Sequence, residues 1–269
     1  MLSLADIKRE PEIRHYLDRA DGVLESIGYT EHGRRHAGVV AKRARAVMEA
    51  LEKPERECEL AAIAAYLHDI GNVVNRDHHA QTGATLAHQL LREAGMPIDD
   101  TIEVVTAIGH HHETDGAPVS DMAAALILAD KSDVHRSRVR DKAMIQLDIH
   151  DRVNYAVTHS SLKVVGPRAA TEMTGEREDG GPAVGNGGGR AGEESSVEGD
   201  TASVTVADLE DDEDIGEKPL ITLALKIDTS ISPVMEYFEI FLPRMILSNR
   251  AADRLGAVYK LVINETTLL

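Results

Sequence analysis

Apolar residues recur every three or four positions through most of the first 156 residues, which is the spacing of a buried helical face. Thr30, Asp77 and Ser120 stand where N-caps belong, and Pro54 stands in a first helical turn. The run at 123–129 is almost wholly apolar, so its helix is expected at the centre of a bundle. The predicted helices cover residues 4–28, 30–52, 54–69, 77–95, 99–112, 120–130 and 148–156.

The pattern changes after residue 156, where apolar and polar residues begin to alternate. A further helix is predicted from Pro233 to about residue 255, with Pro243 inside it as an expected kink. The predicted strands cover residues 161–165, 220–227 and 257–263.

These elements predict a mainly α fold with two parts. Residues 1–156 are expected to form a helical bundle, and residues 157–269 a small C-terminal α/β unit in the order β-β-α-β. A unit of this size has little core of its own, so it needs the helical body or a second chain for support. A homodimer through this unit is therefore one expectation.

The C-terminal unit is interrupted by an acidic, glycine-rich segment at about 166–218. Between Arg168 and Glu217 it carries 15 acidic and 3 basic residues, a large share of the formal net charge of −17. Because it nearly lacks large apolar residues, we predict a disordered insert, with a short strand at 203–206 as the alternative. The charge of the remaining chain is mildly acidic, and no nucleic-acid partner is expected.

Cysteine usage and the absence of long apolar runs bear on the compartment. Cys58 is the single cysteine, which excludes an internal disulfide and suits a reducing cytoplasm. No stretch resembles a signal peptide or a bilayer span, so a cytoplasmic protein without membrane contact is expected.

Histidines and aspartates concentrate where predicted helices end. His68 and Asp69, followed by Gly71, place an imidazole and a carboxylate at a helix terminus, where both can turn toward one ion. Mixed ligands of this kind fit a divalent transition metal (Mn, Fe, Co, Ni or Zn) better than Ca. The candidate metal ligands are His36, His68, Asp69, His79, His111, His112 and Asp130, with His32 as a further candidate.

The number of ions stays open at this point. Four ligands hold one ion, whereas six to eight would hold two, with Asp69 as the natural bridge. His79 is preferred to His78 for its spacing to Gly83, and His111 to the neighbouring histidines. The alternatives are ordinary ones, since His68 and Asp69 could form a buried hydrogen-bonded pair and Asp130 a helix cap.

The order of these residues, each on a predicted helix, resembles the HD superfamily of metal-dependent phosphohydrolases over about residues 28–140. The resemblance implies an HD-type helical bundle. It implies that the core ligands are His36, His68, Asp69 and Asp130. His79 and His111 resemble the added histidines of the two-metal members.

A partial similarity points to the HD-GYP branch, which hydrolyses cyclic dinucleotides. A His-His-Glu followed by Asp-Gly recurs there, and this chain has His111-His112-Glu113 and Asp115-Gly116. The Gly-Tyr-Pro signature is missing, and Asn72 replaces the lysine that usually follows His-Asp-Ile-Gly.

The resemblance implies hydrolysis of a phosphomonoester or phosphodiester, of a nucleotide or cyclic nucleotide, by a metal-activated hydroxide, with His68 and Asp69 as catalytic residues. Lys131, Arg136 and Asn72 are candidate contacts of the substrate phosphate. Two alternatives stay open: a regulatory module that senses a nucleotide or metal, and a di-iron oxygenase, because some members of the superfamily oxidise their substrates. The expected partner is a small-molecule phosphate ester or nucleotide.

Overall fold

The computed structural model of the chain describes residues 2–166 and 218–268. The acidic insert, with its alternative strand at 203–206, lies outside the described residues. Within them, no helix combines the length and the apolar character needed to cross a membrane.

Helices dominate the described part of the chain, and the predicted mainly α fold is confirmed. The helices are α1 (Leu4–Arg9), α2 (Pro11–Ser26), α3 (Arg34–Ala50), α4 (Glu55–Leu67), α5 (His79–Glu93), α6 (Ile98–Gly109), α7 (Asp121–Ser132), α8 (Ile149–Ala156) and α9 (Val234–Arg254). Short 3-10 turns cover Ile70–Val73, Arg136–Arg138 and Lys142–Gln146. The strands are β1 (Val157–Val165), β2 (Leu220–Ile227), β3 (Val258–Ile263) and β4 (Thr266–Thr267).

Two predicted helices differ from the structure for local reasons. The single helix expected over 4–28 is broken into α1 and α2, because a residue before proline avoids the helical region and Glu10 is extended at φ −63° and ψ 117°. Asp77 caps nothing, since α5 begins at His79 after His78 in the left-handed region. The Asn75 side chain instead accepts the amide of Asp77 and forms a local turn.

The predicted cap Thr30 is also wrong, and α3 begins four residues later at Arg34. The reason is the Glu31 side chain, whose Oε1 accepts the backbone amides of Gly33 at 2.8 Å and His36 at 3.5 Å. A carboxylate in this position satisfies free amides of the first turn. His32 therefore lies in the loop before the helix rather than one turn before His36 on it.

Helix α7 lies at the centre of the molecule, as its apolar run predicts. It begins after Ser120, whose hydroxyl accepts the amide of Ala123, and every residue from Met122 to Ser132 is buried. It contacts α3, α4 and α6 of the helical body and α9 of the C-terminal unit. A carboxylate at its C-terminal end, Asp130, is thereby held inside the protein.

The C-terminal unit is a four-stranded sheet in the order β1-β2-β3-β4. β1 and β2 pair antiparallel, β2 and β3 pair parallel with α9 between them in sequence, and β3 and β4 form an antiparallel hairpin. The predicted β-β-α-β order is confirmed, with β4 in addition. Tyr237, Phe241 and Met245 of α9 are buried in the same apolar core as the helical body.

Candidate metal centre

The end of α4 turns a His-Asp pair toward one point. Leu67 is the last residue of the helix, His68 is its C-cap, and Asp69 has φ −96° and ψ 0° before the 3-10 turn. This tightening of the backbone brings His68 Nε2 within 3.1 Å of Asp69 Oδ2. Both side chains are almost completely buried.

A close backbone crossing brings α5 to the same point. A Cβ at Gly71 would lie 2.0 Å from the carbonyl oxygen of His79 and 2.5 Å from the amide nitrogen of Gly83. Only glycine allows the 3-10 turn after Asp69 to approach the first turn of α5 so closely. His79 is placed beside Asp69 as a result, with Nε2 at 3.5 Å from Asp69 Oδ1.

Helices α3 and α7 supply the opposite side. His36 Nε2 lies 3.3 Å from His68 Nε2 and 3.3 Å from Asp130 Oδ1. It also lies 3.6 Å from Asp69 Oδ2, and His68 Nε2 lies 3.6 Å from Asp130 Oδ1. These four residues, from α3, the end of α4 and α7, therefore converge on one small volume.

His111, just beyond α6, extends this cluster through His79. The Nε2 atoms of His79 and His111 are 3.2 Å apart, and the ring centroids of His111 and His68 are 4.9 Å apart. His68, Asp69 and His111 offer ligand atoms that lie within 4.8 Å of one another, as do His36, His68 and Asp130. The two overlapping groups share His68.

The remaining candidates lie at the edge of the cluster. The His112 ring is 4.8 Å from that of His79 and is half-buried, with Nε2 3.8 Å from a carboxylate oxygen of Glu113. His32 is buried, and its ring centroid lies 5.4 Å from that of His36. Among the neighbours that were ranked lower, His78 is exposed and His110 is half-buried.

Hydrogen bonds on the outer side fix how these histidines are protonated. In each of four rings Nδ1 faces an oxygen, which as a carbonyl or carboxylate can only accept, so Nδ1 carries a hydrogen and donates it. The lone pair of Nε2 is then left for the interior of the cluster. The acceptors are Asp133 Oδ2 for His36 (2.7 Å), Ala65 O for His68 (2.7 Å), Arg76 O for His79 (2.9 Å) and Ile108 O for His111 (2.6 Å).

This donor set fits a divalent transition metal. Two Nε2 lone pairs that face each other at 3.2–3.3 Å repel unless a proton or a metal ion lies between them. Asp69 Oδ2 is buried and has no hydrogen-bond partner within residues 2–166 and 218–268. Ligands that sit about 2.1 Å from one ion are about 3 to 3.5 Å apart, which is the spacing seen here.

Burial and charge act against each other in the cluster. Burial lowers the pKa of His79 to about 4 and that of His111 well below its ordinary value, so both are neutral ligands. Burial alone would raise the pKa of Asp69, but His68 outweighs it and holds the carboxyl anionic. Burial alone would lower the pKa of His68, but Asp69 and Asp130 outweigh burial and raise this pKa to about 10. The centre therefore requires positive charge, either as a proton on His68 or as a metal in its place.

The three predicted phosphate contacts all have protein partners. Asn72 is fully buried, and its amide donates to Asp69 Oδ1 at 2.8 Å. Lys131 is 5% exposed, with Nζ 2.7 Å from Asp130 Oδ2. Arg136 stacks on the ring of Tyr155 at 5.2 Å. Their contact with phosphate stays a prediction, whereas Asn72 and Lys131 donate hydrogen bonds to the two candidate ligand carboxylates.

A cavity of about 630 Å³ adjoins the cluster. His32, His79 and His112 belong both to the histidine group and to the cavity wall. The wall also contains Arg76, Arg138 and Arg244, and the aromatic rings of Tyr29 and Phe241. The centre thus adjoins a space large enough for a small organic ligand.

Sequence reasoning missed several residues of this site. Asp133, which orients His36, follows Asp130 by three residues and could have been found from that spacing. Arg76 follows the His-Asp pair closely in sequence. Arg244 and Phe241 lie more than a hundred residues from the nearest ligand, and no local pattern marks them as parts of the cavity.

A family model matches the part of the chain that forms most of the cluster. Residues 34–146 match the model of the HD domain, a span that contains every candidate ligand except His32. Over these residues the helical body is similar to HD domains. The family and its donor set together support a divalent metal as the cofactor, as the sequence resemblance implies.

Two similar proteins come from an archaeon and from a bacterium. An uncharacterised protein of the archaeon Methanocaldococcus jannaschii is 30% identical over 42% of this chain and 52% of its own length. The chain thus spans about half the length of that relative. A solved structure, a predicted HD superfamily hydrolase from an uncultured Thermotogales bacterium, is 25% identical over 54% of this chain and 80% of its own, with a TM-score of 0.38.

Proposed function

We propose that this protein is a metal-dependent phosphohydrolase that cleaves a phosphomonoester or phosphodiester of a nucleotide or cyclic nucleotide. The observation that carries the proposal is the set of inward-facing Nε2 lone pairs and carboxylates beside an open cavity. Divalent ions held there would supply positive charge to a phosphoryl group and acidity to water. No serine or cysteine nucleophile is needed for this chemistry, and Cys58 is buried away from the cluster, in α4.

Two sets of candidate ligands, one near each oxygen of Asp69, support a proposal of two ions. His36, His68 and Asp130 would hold one, together with Oδ2 of Asp69. His79 and His111 would hold the other with Oδ1 of Asp69, since each oxygen lies nearest a different side. Asp69 would then bridge the ions, as its place in the sequence suggests.

The chain fixes these ligands through a second layer of contacts. Asn72 donates to Asp69, Lys131 to Asp130, and Asp133 accepts from His36. Such contacts set the orientation and the basicity of the ligands. Both carboxylates are also buried, so their charge would be directed at the bound ions.

The cavity suits a nucleotide in size and in chemistry. Its volume of about 630 Å³ lies within the usual range for small-molecule sites. Arginines on the wall can pair with phosphate oxygens, while Tyr29 and Phe241 provide aromatic surface for a base. Water is displaced from the reacting group when such a ligand fills the space.

The deciding experiment combines metal analysis with a hydrolysis assay. The protein is purified anaerobically, its metals are measured, and release of phosphate or of a nucleoside monophosphate is followed with phosphomonoesters, cyclic nucleotides and simple diesters. We expect about two transition-metal ions per chain, and loss of both metal and hydrolysis in Asp69→Ala. Asp253→Ala, which removes an exposed carboxylate of α9, is the matched control.

Three other results would count against the proposed phosphohydrolase. Full metal content in Asp69→Ala would refute the centre itself. Metal binding without hydrolysis of any ester after loading with Mn or Fe would refute the enzyme and favour the regulatory module, for which the contact of α9 with the cavity offers a route from ligand to C-terminal unit. Oxygen consumption by the iron-loaded protein would favour the oxygenase.

A further inference from the structure

We propose that Arg244 binds a second phosphate group of the substrate, so that the C-terminal unit completes the site. This inference rests on the proposed function of the same cavity. It narrows the substrate to molecules that carry at least two phosphate groups, one at the metal centre and one at Arg244. The cluster alone does not contain this residue, because it comes from α9 rather than from the residues that match the HD domain.

Arg244 is stacked on an aromatic ring at the cavity wall. Its guanidinium carbon lies 4.6 Å from the centre of the Phe241 ring, one turn earlier on α9. The side chain is 21% exposed and borders the same cavity as His79 and His112. A guanidinium stacked in this way has lost much of its conformational freedom before a ligand arrives, which favours binding.

The hydrogen-bonding capacity of Arg244 is largely unused. Its Nε donates to Glu113 Oε1 over a long 3.4 Å, and its two terminal nitrogens have no hydrogen-bond partner in residues 2–166 and 218–268. Arg138, on the same wall, differs, since Nε, Nη1 and Nη2 all donate to backbone carbonyls of Glu31 or Asp133. Arg138 is a structural arginine, whereas Arg244 retains the forked pair of donors that matches a phosphate.

The charge of Arg244 is only partly balanced. Glu113 is its one nearby carboxylate among the described contacts, and that carboxylate is shared with Lys131, whose Nζ lies closer at 2.6 Å. Lys131 in turn contacts the ligand Asp130 at 2.7 Å. Three ion pairs therefore connect Arg244 to the candidate ligand Asp130, and Glu113 balances the charge of Arg244 only in part because it also pairs with Lys131.

The test compares anions with one and two phosphorus groups. Methylphosphonate and methylenediphosphonate, neither of which is hydrolysed as a phosphate ester, are titrated by calorimetry into the full-length, metal-loaded protein with free Mn held constant. In Arg244→Gln we expect diphosphonate binding to weaken by about 10- to 100-fold and monophosphonate binding to change far less. Arg244→Lys, which keeps the charge but loses the fork, should recover part of the loss.

Arg250→Gln is the matched control, since Arg250 is an exposed arginine of the same helix outside the cavity wall. Metal content and the melting temperature of each variant are measured alongside, and an unchanged metal content is expected. With any substrate that the protein hydrolyses, Arg244→Gln should raise KM more than it lowers kcat if a second phosphate is present.

Each outcome separates this inference from the function on which it rests. Equal diphosphonate binding by wild type and Arg244→Gln would overturn the role of Arg244 and leave hydrolysis untouched. An equal loss for the two phosphonates would also overturn it, because the residue would then act on the metal site as a whole. Arg244-dependent diphosphonate binding in a protein that hydrolyses no ester would support the anion site and refute the phosphohydrolase.

Discussion

The crossing at Gly71 makes the strongest prediction about how the fold builds the centre. In Gly71→Ala the new Cβ would lie 2.0 Å from the His79 carbonyl oxygen and 2.5 Å from the Gly83 amide nitrogen. Both are backbone atoms, so no side-chain rotation can relieve the clash. The 3-10 turn and the first turn of α5 must separate by about 1 Å to restore the 3.0 Å that real Cβ atoms require.

That separation acts on stability and on metal binding together. Overpacking of this kind costs about 1 to 3 kcal/mol of the free energy of unfolding. Metal–ligand distances tolerate changes of only about 0.2 Å, so a shift of about 1 Å between Asp69 and His79 should remove one ligand from the set. We expect Gly71→Ala to unfold at lower urea concentration and to lose the ion that His79 and His111 would hold.

Two other glycines provide graded controls. In Gly83→Ala the nearest atom is the His68 carbonyl oxygen at 3.1 Å, so a shift of a few tenths of an ångström suffices and a smaller loss is expected. Gly38, two residues after His36 in α3, has no atom within 4 Å of a new Cβ. Gly38→Ala should therefore stabilise by about 0.5 to 1 kcal/mol and leave the metal content unchanged.

Urea unfolding followed by circular dichroism, with elemental analysis of the same samples, measures both effects. A Gly71→Ala protein with wild-type metal content and wild-type stability would refute the proposed role of the backbone crossing at Gly71. It would also be refuted if Gly38→Ala lost metal to the same extent, because the effect would then not depend on the clash.

Two further predictions concern single side chains. Asp133→Ala removes the acceptor of His36 Nδ1–H and should weaken metal affinity by about 10- to 100-fold, measured by competition with a chelator, and an unchanged affinity would contradict it. The pKa of Asp6 is lowered from 3.8 to about 2, chiefly by the hydroxyl and then the amide of Ser3. Its stabilisation of α1 should therefore be complete above about pH 4 and disappear as the pH falls through 2, which amide exchange in α1 would show; persistence of this pH dependence in Asp6→Asn would argue against it.

Local sequence patterns predicted most of the helices and strands and most of the candidate ligands. The apolar run of α7 could be recognised because no surface helix is apolar on all faces, and Asp130 at its end stood out as a carboxylate that needs a partner. His68 and Asp69 were identifiable because a helix end directs adjacent side chains to one point. The structure brings these residues together with His36, as the resemblance to the HD superfamily implied.

What the sequence could not supply depends on contacts between distant segments. The start of α3 was misjudged because the Glu31 side chain replaces the expected cap, a competition that propensities do not resolve. Asn72 looked like a substitute for a phosphate-binding lysine, yet burial makes its amide a partner of Asp69. The place of Arg244 follows from how α9 packs on α7, which no local spacing encodes.

The packing of α9 also bears on the predicted division at residue 156, which stays a prediction. One apolar core contains residues from both parts, and α7 is covered by the body on one side and by α9 on another. Tyr237, Phe241 and Met245 are each buried to 4% exposure or less. A boundary that is clear in the sequence pattern is therefore not a boundary in the core.

We accordingly predict that residues 1–156 will not fold as a stable unit when 157–269 are removed. Loss of α9 would expose the buried face of α7, and a large apolar surface in water favours a loosely packed or associated state. The fragment should unfold without a cooperative thermal transition and should bind a hydrophobic dye, unlike the full chain under the same conditions. Cooperative unfolding of the fragment near the melting temperature of the full chain, with metal bound, would show that the body is independent and that α9 contributes to the cavity alone.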